Sequence, residues 1–123
     1  MPKINILIVE DERIIAEVIA KMVNKMGYSV IGIENKGKNA VRTALKKRPD
    51  LILMDIELKD ELDGIEAAKI IKSKIDVPVI YITAFMNSNR KRKAKLTKPC
   101  EYIIKPFDNT ELEKCIKKIL KLK

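Results

Sequence analysis

The chain has 123 residues, of which 46% are hydrophobic, and a formal net charge of +9 at pH 7. This length fits one domain that can bury a core without disulfides or structural metals. No apolar stretch approaches the ~20 residues of a membrane span, and residues 1–4 leave no room for a signal peptide, so we expect one cytoplasmic domain over residues 1–123. The chain has no histidine and no paired C-x-x-C cysteines, which argues against zinc sites and cysteine–histidine catalysis.

Short apolar runs alternate with helical patterns along the chain, which predicts repeated βα units and a mainly parallel sheet. The predicted strands are residues 6–9, 29–33, 51–54, 79–82 and 102–104. The predicted helices are residues 15–26, a shorter one around 41–45, one from 63 to about 73, a short mobile one within 86–96, and one over 108–120. Five such rounds can be counted, and we adopt as the expected fold a flavodoxin-like (βα)5 architecture, a doubly wound parallel sheet in three α/β/α layers. Its strand order, 2-1-3-4-5, supposes that the first and third strands are neighbours.

Several residues indicate where the helices begin and end. Asp63 and Asp108 each have a glutamate three residues later, the spacing of a capping box, and Gly27 stands where a helix commonly stops. Cys115 falls on the apolar stripe of the last helix and is predicted to lie in the core. Cys100, which follows a proline, is predicted to be an unreactive loop residue.

Polar residues stand where four of the apolar runs end. These residues are Glu10 and Asp11, Asp55, Thr83, and Lys105. Because the carboxyl ends of parallel strands share one edge of a sheet, we expect the three acids, the hydroxyl and the ammonium to converge there. Crowded carboxylates need a cation, and their hard oxygens suit Mg²⁺. A metal, an ammonium and a hydroxyl around one carboxylate form a site suited to a phosphoryl group.

Five segments then resemble a known family, the receiver domains of two-component response regulators. They are residues 6–12 (ILIVEDE), 51–56 (LILMDI), 63–64 (DG), 77–84 (VPVIYITA) and 102–107 (YIIKPF). The resemblance extends over essentially the whole chain, and the motifs occur in the family's order.

The resemblance implies a role for each acidic residue. Asp55 matches the aspartate that accepts a phosphoryl group from a sensor histidine kinase. Asp11 matches the acid that binds Mg²⁺, and Glu10, in place of the commoner aspartate, would assist through metal-bound water. The main-chain carbonyl of Glu57 matches a third metal ligand.

The resemblance also implies a switch. Lys105 would pair with the phosphoryl oxygens, Thr83 would turn toward them, and Tyr102 would swing inward as Thr83 moves. The Lys105–Pro106 peptide bond is expected to be cis. Glu57 and Phe85 lie where the family varies and where residue choice affects dephosphorylation, which leaves the phosphoryl lifetime open.

The sequence therefore predicts a stand-alone receiver, without an output domain, whose own chemistry is limited to self-phosphorylation and self-dephosphorylation. Its output would be altered binding to a downstream protein, through a face formed by residues 83–107, or the passing of its phosphoryl group onward in a relay. One alternative is a metal-dependent phosphohydrolase or phosphotransferase acting through Asp55, although Glu57 stands where haloacid-dehalogenase-type enzymes have a second aspartate. Another is nucleic-acid binding through the basic residues 90–98, which the 4% aromatic content disfavours.

Overall fold

The computed structural model describes residues 3–122, in which five strands alternate with five helices. The strands are β1 Asn5–Val9, β2 Ser29–Glu34, β3 Leu51–Asp55, β4 Val79–Thr83 and β5 Cys100–Ile104. The helices are α1 Arg13–Lys25, α2 Gly37–Lys47, α3 Gly64–Lys72, α4 Ser88–Lys95 and α5 Asn109–Ile119. The alternation predicted from the apolar runs is confirmed in number and order.

All neighbouring strands pair in parallel, in the order β2-β1-β3-β4-β5. The central pair places Val9 of β1 beside Met54 of β3, so the residues that follow these strands emerge side by side. β3 and β4 are buried along their whole length, which agrees with their continuous apolar sequences. The predicted flavodoxin-like fold is confirmed.

The helices cover the sheet in two layers, and each layer encloses its own apolar cluster. One cluster joins the sheet to α1 and α5 through residues such as Ile19, Val23 and Ile116. The other joins it to α2, α3 and α4 through residues such as Ala44, Ile71 and Ala94. No helix within residues 3–122 is long and apolar enough to cross a membrane.

Most predicted boundaries lie within two residues of the observed ones, and the capping signals are real. Asp63 caps α3 in a full capping box with Glu66, and Asp108 accepts a hydrogen bond from the Glu111 amide at 2.8 Å. Gly27, at φ 92°, follows α1 in the left-handed conformation that favours glycine.

The predictions for the two cysteines were less accurate. Cys100 is not in a loop: it begins β5, and its thiol is 3.3 Å from the Ala94 carbonyl oxygen. The apolar run from Tyr102 to Ile104 gave no sign that β5 begins two residues earlier, because pairing with β4 sets that boundary. Cys115 packs against the core of α1 and α5 but is only partly buried.

Candidate functional site

A charged cluster lies at the carboxyl edge of the sheet. Glu10 directly follows β1 and Asp55 ends β3, and they are only 2% and 5% exposed. Lys105, which directly follows β5, reaches between them: its Nζ is 2.7 Å from Glu10 Oε1 and 3.5 Å from Asp55 Oδ2. One ammonium therefore links two buried carboxylates that come from different strands.

Asp11 completes the acidic part of the cluster. Carboxylate oxygens of Glu10, Asp11 and Asp55 all lie within 4.8 Å of one another. Three converging carboxylates and one ammonium leave excess negative charge in a partly buried place, which a divalent cation would offset. Because all these donors are hard oxygens, the set fits Mg²⁺.

Backbone amides orient the acidic side chains. The amide of Glu57 donates to Asp55 Oδ1 at 2.9 Å, which leaves Oδ2 facing Lys105. The amide of Lys59 donates to Asp11 Oδ2 at 3.1 Å, although these residues are 48 positions apart. The loop after β3 therefore holds both aspartates.

The protonation of Glu10 and Lys105 reflects two opposing effects. Burial raises the pKa of Glu10 to about 7, although the hydrogen bond from Lys105 acts to lower it. Burial also acts to lower the pKa of Lys105, but its bond to Glu10 and the charge of Asp55 outweigh burial and raise it. The ammonium is therefore held charged among the carboxylates.

The first turn of α3 packs tightly against Asp55. A Cβ atom at Gly64 would overlap the carbonyl oxygen of Asp55 and lie 2.8 Å from the Cα atom of Ile56. The Gly64 amide donates to the Ile56 carbonyl oxygen at 2.9 Å. Glycine at this position therefore lets the helix start directly against the backbone of the acidic site.

Thr83 is fully buried at the end of β4, and its hydroxyl bonds to the side chain of Glu57. The Thr83 Oγ1 atom is 2.9 Å from Glu57 Oε1, and Arg90 Nη1 is 3.1 Å from that same oxygen. Arg90 Nη1 also donates to the Phe85 carbonyl oxygen at 2.7 Å. The hydrogen bond from Thr83 has the largest effect on Glu57 and lowers its pKa, the bond from Arg90 acts in the same direction, and burial opposes both.

This network contains the functional features that the sequence did not reveal. The sequence predicted a metal-binding role for the main-chain carbonyl of Glu57 and an effect of its residue type on dephosphorylation, but no partner for its side chain. Arg90 was treated as one of several basic residues. Arg90 sits in a run of basic side chains whose spacing gives no sign of which one meets a carboxylate. The partner, Glu57, is 33 residues away in the loop after β3, and the contact depends on where α4 lies relative to that loop.

Tyr102 lies at the surface, away from the buried cluster. It is 42% exposed, and the ammonium of Lys91 is 5.2 Å from the centre of its ring, a cation–π contact. The peptide bond Lys105–Pro106 is cis, as expected, and so is Lys98–Pro99, which the sequence did not indicate.

The structure thus gathers Glu10, Asp11, Asp55 and Lys105 into one cluster. Thr83 is linked to that cluster through Glu57, whose amide contacts Asp55 and whose side chain contacts Thr83. Such a cluster, with a buried carboxylate, an ammonium and a set of hard oxygens, is able to hold and transfer a phosphoryl group.

Known proteins share this sequence pattern and fold. The family model for the response regulator receiver domain matches residues 6–117. The transcriptional regulatory protein PdtaR of Mycobacterium tuberculosis is 36% identical over 87% of this chain and 52% of its own length. The phyllosphere-induced regulator PhyR of Methylorubrum extorquens is 37% identical over 94% of this chain and 43% of its own length. The chain thus spans about half the length of these curated relatives.

Solved receiver domains superpose over almost the whole chain. The signal receiver domain of a modulated diguanylate cyclase from Desulfovibrio desulfuricans is 33% identical, with a TM-score of 0.90 over 98% of this chain and 95% of its own. The receiver domain of a sensor histidine kinase from Pseudomonas aeruginosa is 32% identical, with a TM-score of 0.86 over 98% and 99% of the two chains. That structure has a magnesium ion coordinated in its active site cleft.

Proposed function

Because this chain belongs to the response regulator receiver domain family, we propose that Asp55 accepts a phosphoryl group from a sensor histidine kinase. The observation that carries the proposal is the position of Asp55: it is nearly buried at the sheet edge, beside two further acids and 3.5 Å from the Lys105 ammonium. Receiver domains are not classical enzymes, and we infer that the chemistry of this chain is limited to gaining and losing its own phosphoryl group.

Each residue of the cluster has a different role in the phosphoryl transfer. A carboxylate oxygen of Asp55 attacks phosphorus and forms an acyl phosphate, while the bond to the donor imidazole breaks. Lys105 stabilises negative charge on the phosphoryl oxygens. Mg²⁺, held by Glu10, Asp11, Asp55 and the carbonyl of Glu57, would supply further positive charge there.

The signal would be a change of surface. We propose that Thr83 turns toward the phosphoryl group and that Tyr102 follows it inward, which alters the face formed by residues 83–107. This face includes α4, whose exposed side chains are mostly basic, and the exposed Tyr102 and Leu96. Such a surface favours a downstream protein with acidic side chains around an apolar contact. We propose that the protein acts in the cytoplasm.

The test is phosphorylation by acetyl phosphate with Mg²⁺, followed by intact mass spectrometry. We expect one phosphoryl adduct that is labile to hydroxylamine, that is absent from Asp55→Asn, and that fails to form when EDTA removes the metal. Asp76→Asn changes an exposed aspartate outside the cluster and should leave the adduct unchanged.

Two results would contradict the proposal. A folded wild-type chain that gains no adduct at saturating donor is not a phosphoacceptor, and an adduct that persists in Asp55→Asn lies on another residue. A receiver that loses its phosphoryl group also turns over acetyl phosphate, so the phosphohydrolase alternative would instead be supported by release of phosphate from a phosphomonoester such as p-nitrophenyl phosphate.

A further inference from the structure

We propose that Arg90 is a positioning residue that, through the carboxylate of Glu57, holds the Thr83 hydroxyl in the conformation without phosphate. We call the hydrogen-bonded group of Thr83, Glu57, Arg90 and Phe85 the Arg90 latch. The inference rests on the proposed function, because it assigns Arg90 a part in regulating the same site. It concerns a contact between α4 and the loop after β3 that depends on this chain's own side chains.

Thr83 and Arg90 share the same two acceptor oxygens in the latch. Glu57 Oε1 receives both the Thr83 hydroxyl, at 2.9 Å, and Arg90 Nη1, at 3.1 Å. The carbonyl oxygen of Phe85 also lies within reach of both donors, at 3.1 Å from Thr83 Oγ1 and 2.7 Å from Arg90 Nη1. The Arg90 guanidinium carbon is 5.8 Å from the centre of the Phe85 ring. One arginine therefore fixes the carboxylate and the loop that leads from β4 into α4.

The latch competes with a phosphoryl group for the Thr83 hydroxyl. A threonine hydroxyl has one hydrogen to donate, so it cannot donate to both Glu57 and a phosphoryl oxygen. The charge of Arg90 keeps the Glu57 carboxylate in place as an acceptor, and a hydrogen bond to an ionised acceptor is the stronger kind. The Arg90 latch thus stabilises the conformation in which Thr83 has not turned.

A phosphoryl group on Asp55 would weaken the same latch by repulsion. It adds up to two negative charges beside Glu57, whose amide is bonded to Asp55. Arg90 lies in the first turns of α4, and its own amide is bonded to the capping side chain of Asn87 at 2.8 Å. If Arg90 lost its bonds to Glu57 and Phe85, residues 84–87 and the start of α4 would be free to move. This movement would connect the acidic site to the basic face.

The size of the effect should be modest. The side chains of Arg90 and Glu57 are 29% and 43% exposed, so water and salt screen their attraction. A partly exposed ion pair of this kind shifts a two-state equilibrium by about two- to fivefold.

The first test compares Arg90→Gln with Arg92→Gln in the full chain. Both changes remove one positive charge from α4, but Arg92 takes no part in the latch. We expect Arg90→Gln to raise the hydrogen exchange rates of the amides of residues 84–90 without phosphate. We expect it also to bind beryllium fluoride with Mg²⁺ about two- to fivefold more tightly than wild type, because less energy is needed to free Thr83. Arg92→Gln should do neither.

A double-mutant cycle with Glu57→Ala identifies the route of the effect. If Arg90 acts on Thr83 through Glu57, Arg90→Gln does not change the beryllium fluoride affinity further in the Glu57→Ala background. Exchange of residues 84–87 still rises there, because the bond from Arg90 to the Phe85 carbonyl oxygen is lost as well. If beryllium fluoride affinity instead falls equally in Arg90→Gln and Arg92→Gln, the arginine only attracts anions and the latch is contradicted. Additive effects of Arg90→Gln and Glu57→Ala on the beryllium fluoride affinity would also contradict the latch.

The two readouts separate this inference from the proposed function. If the wild-type chain binds no beryllium fluoride, the proposed function fails, while hydrogen exchange still decides whether the Arg90 latch exists. If the wild-type chain binds the analogue but Arg90→Gln leaves exchange of residues 84–90 and affinity unchanged, the latch fails alone. Thermal unfolding of each variant confirms that neither result reflects loss of the fold.

Discussion

Helices α3 and α4 follow the neighbouring strands β3 and β4, yet they are attached to the molecule in opposite ways. α3 buries five of its nine residues and begins with a full capping box. Within α4, which the structure describes completely, Ala94 is the one buried residue among eight. Helix α3 is an integral part of the core, whereas α4 is held mainly by polar contacts near its two ends.

The polar contacts of α4 differ between those two ends. At its C-terminal end the Thr97 hydroxyl donates to the Ala94 carbonyl oxygen at 2.6 Å and lies 2.6 Å from the buried Tyr81 hydroxyl. At its N-terminal end the contacts are those of Asn87 and Arg90, which are at least partly exposed. A helix fixed at one end and polar at the other can move at its start without disturbing the core.

This difference suits the two helices to different tasks. α3 touches the backbone of Asp55 through Gly64, so its rigidity keeps the proposed phosphoacceptor in place. Among the described residues, the side-chain hydrogen bonds between α4 and the site are those of the Arg90 latch, so we expect a small change of charge to alter the position of α4. Precise chemistry and an adjustable surface are thereby kept on separate elements.

The largest test of the comparison is the loss of a buried side chain from α3. Ile71 is fully buried, and Ile71→Ala should lower the free energy of unfolding by about 2–5 kcal/mol, because it leaves a cavity in the core. Leu96, at the end of α4, is 73% exposed, and Leu96→Ala should change the free energy of unfolding by less than about 0.5 kcal/mol. Urea unfolding measures both. Equal losses would mean that α4 is as much a part of the core as α3.

A smaller effect is expected where α3 meets the acidic site. Gly64→Ala places a methyl group against the Asp55 carbonyl oxygen, so we expect a loss of about 1–3 kcal/mol and shifted amide resonances for residues 55–57. Gly27→Ala is the matched control: its Cβ would meet nothing within 4 Å, but its φ of 92° strains any other residue. That variant should lose stability without shifting residues 55–57. If Gly64→Ala leaves those resonances in place, α3 does not position Asp55.

The sequence predicted both α3 and the short, weakly packed α4, but it did not predict the contacts of α4. Continuous apolar runs and two capping signals each report a local property, so the strands and the position of Asp55 at a strand end followed from them, whereas the sheet order was supposed by analogy with flavodoxin-like folds. Convergence of Glu10, Asp11, Asp55 and Lys105 followed as well, because parallel strands share an edge. The contacts of Arg90 could not be predicted, since they depend on the angle at which a weakly packed helix lies beside the sheet.

The smallest effects should come from the two helix caps, which test the comparison locally. The Asp63 side chain accepts a hydrogen bond from the Glu66 amide at 2.8 Å, and the Asp63 amide donates to the Glu66 side chain at 3.0 Å. The Asn87 side chain, by contrast, only accepts a hydrogen bond from the Arg90 amide. Asp63→Ala should therefore lower the free energy of unfolding by about 1 kcal/mol.

Asn87→Ala removes one bond from a helix that can fray without unfolding the core. We expect it to change the free energy of unfolding by less than Asp63→Ala does, and to speed hydrogen exchange in residues 88–91 while α3 stays protected. Chemical denaturation and amide exchange, measured on both variants, give the two quantities. If Asn87→Ala were as costly to global stability as Asp63→Ala, the start of α4 would unfold only with the whole domain. It could not then move independently in response to charge on Asp55.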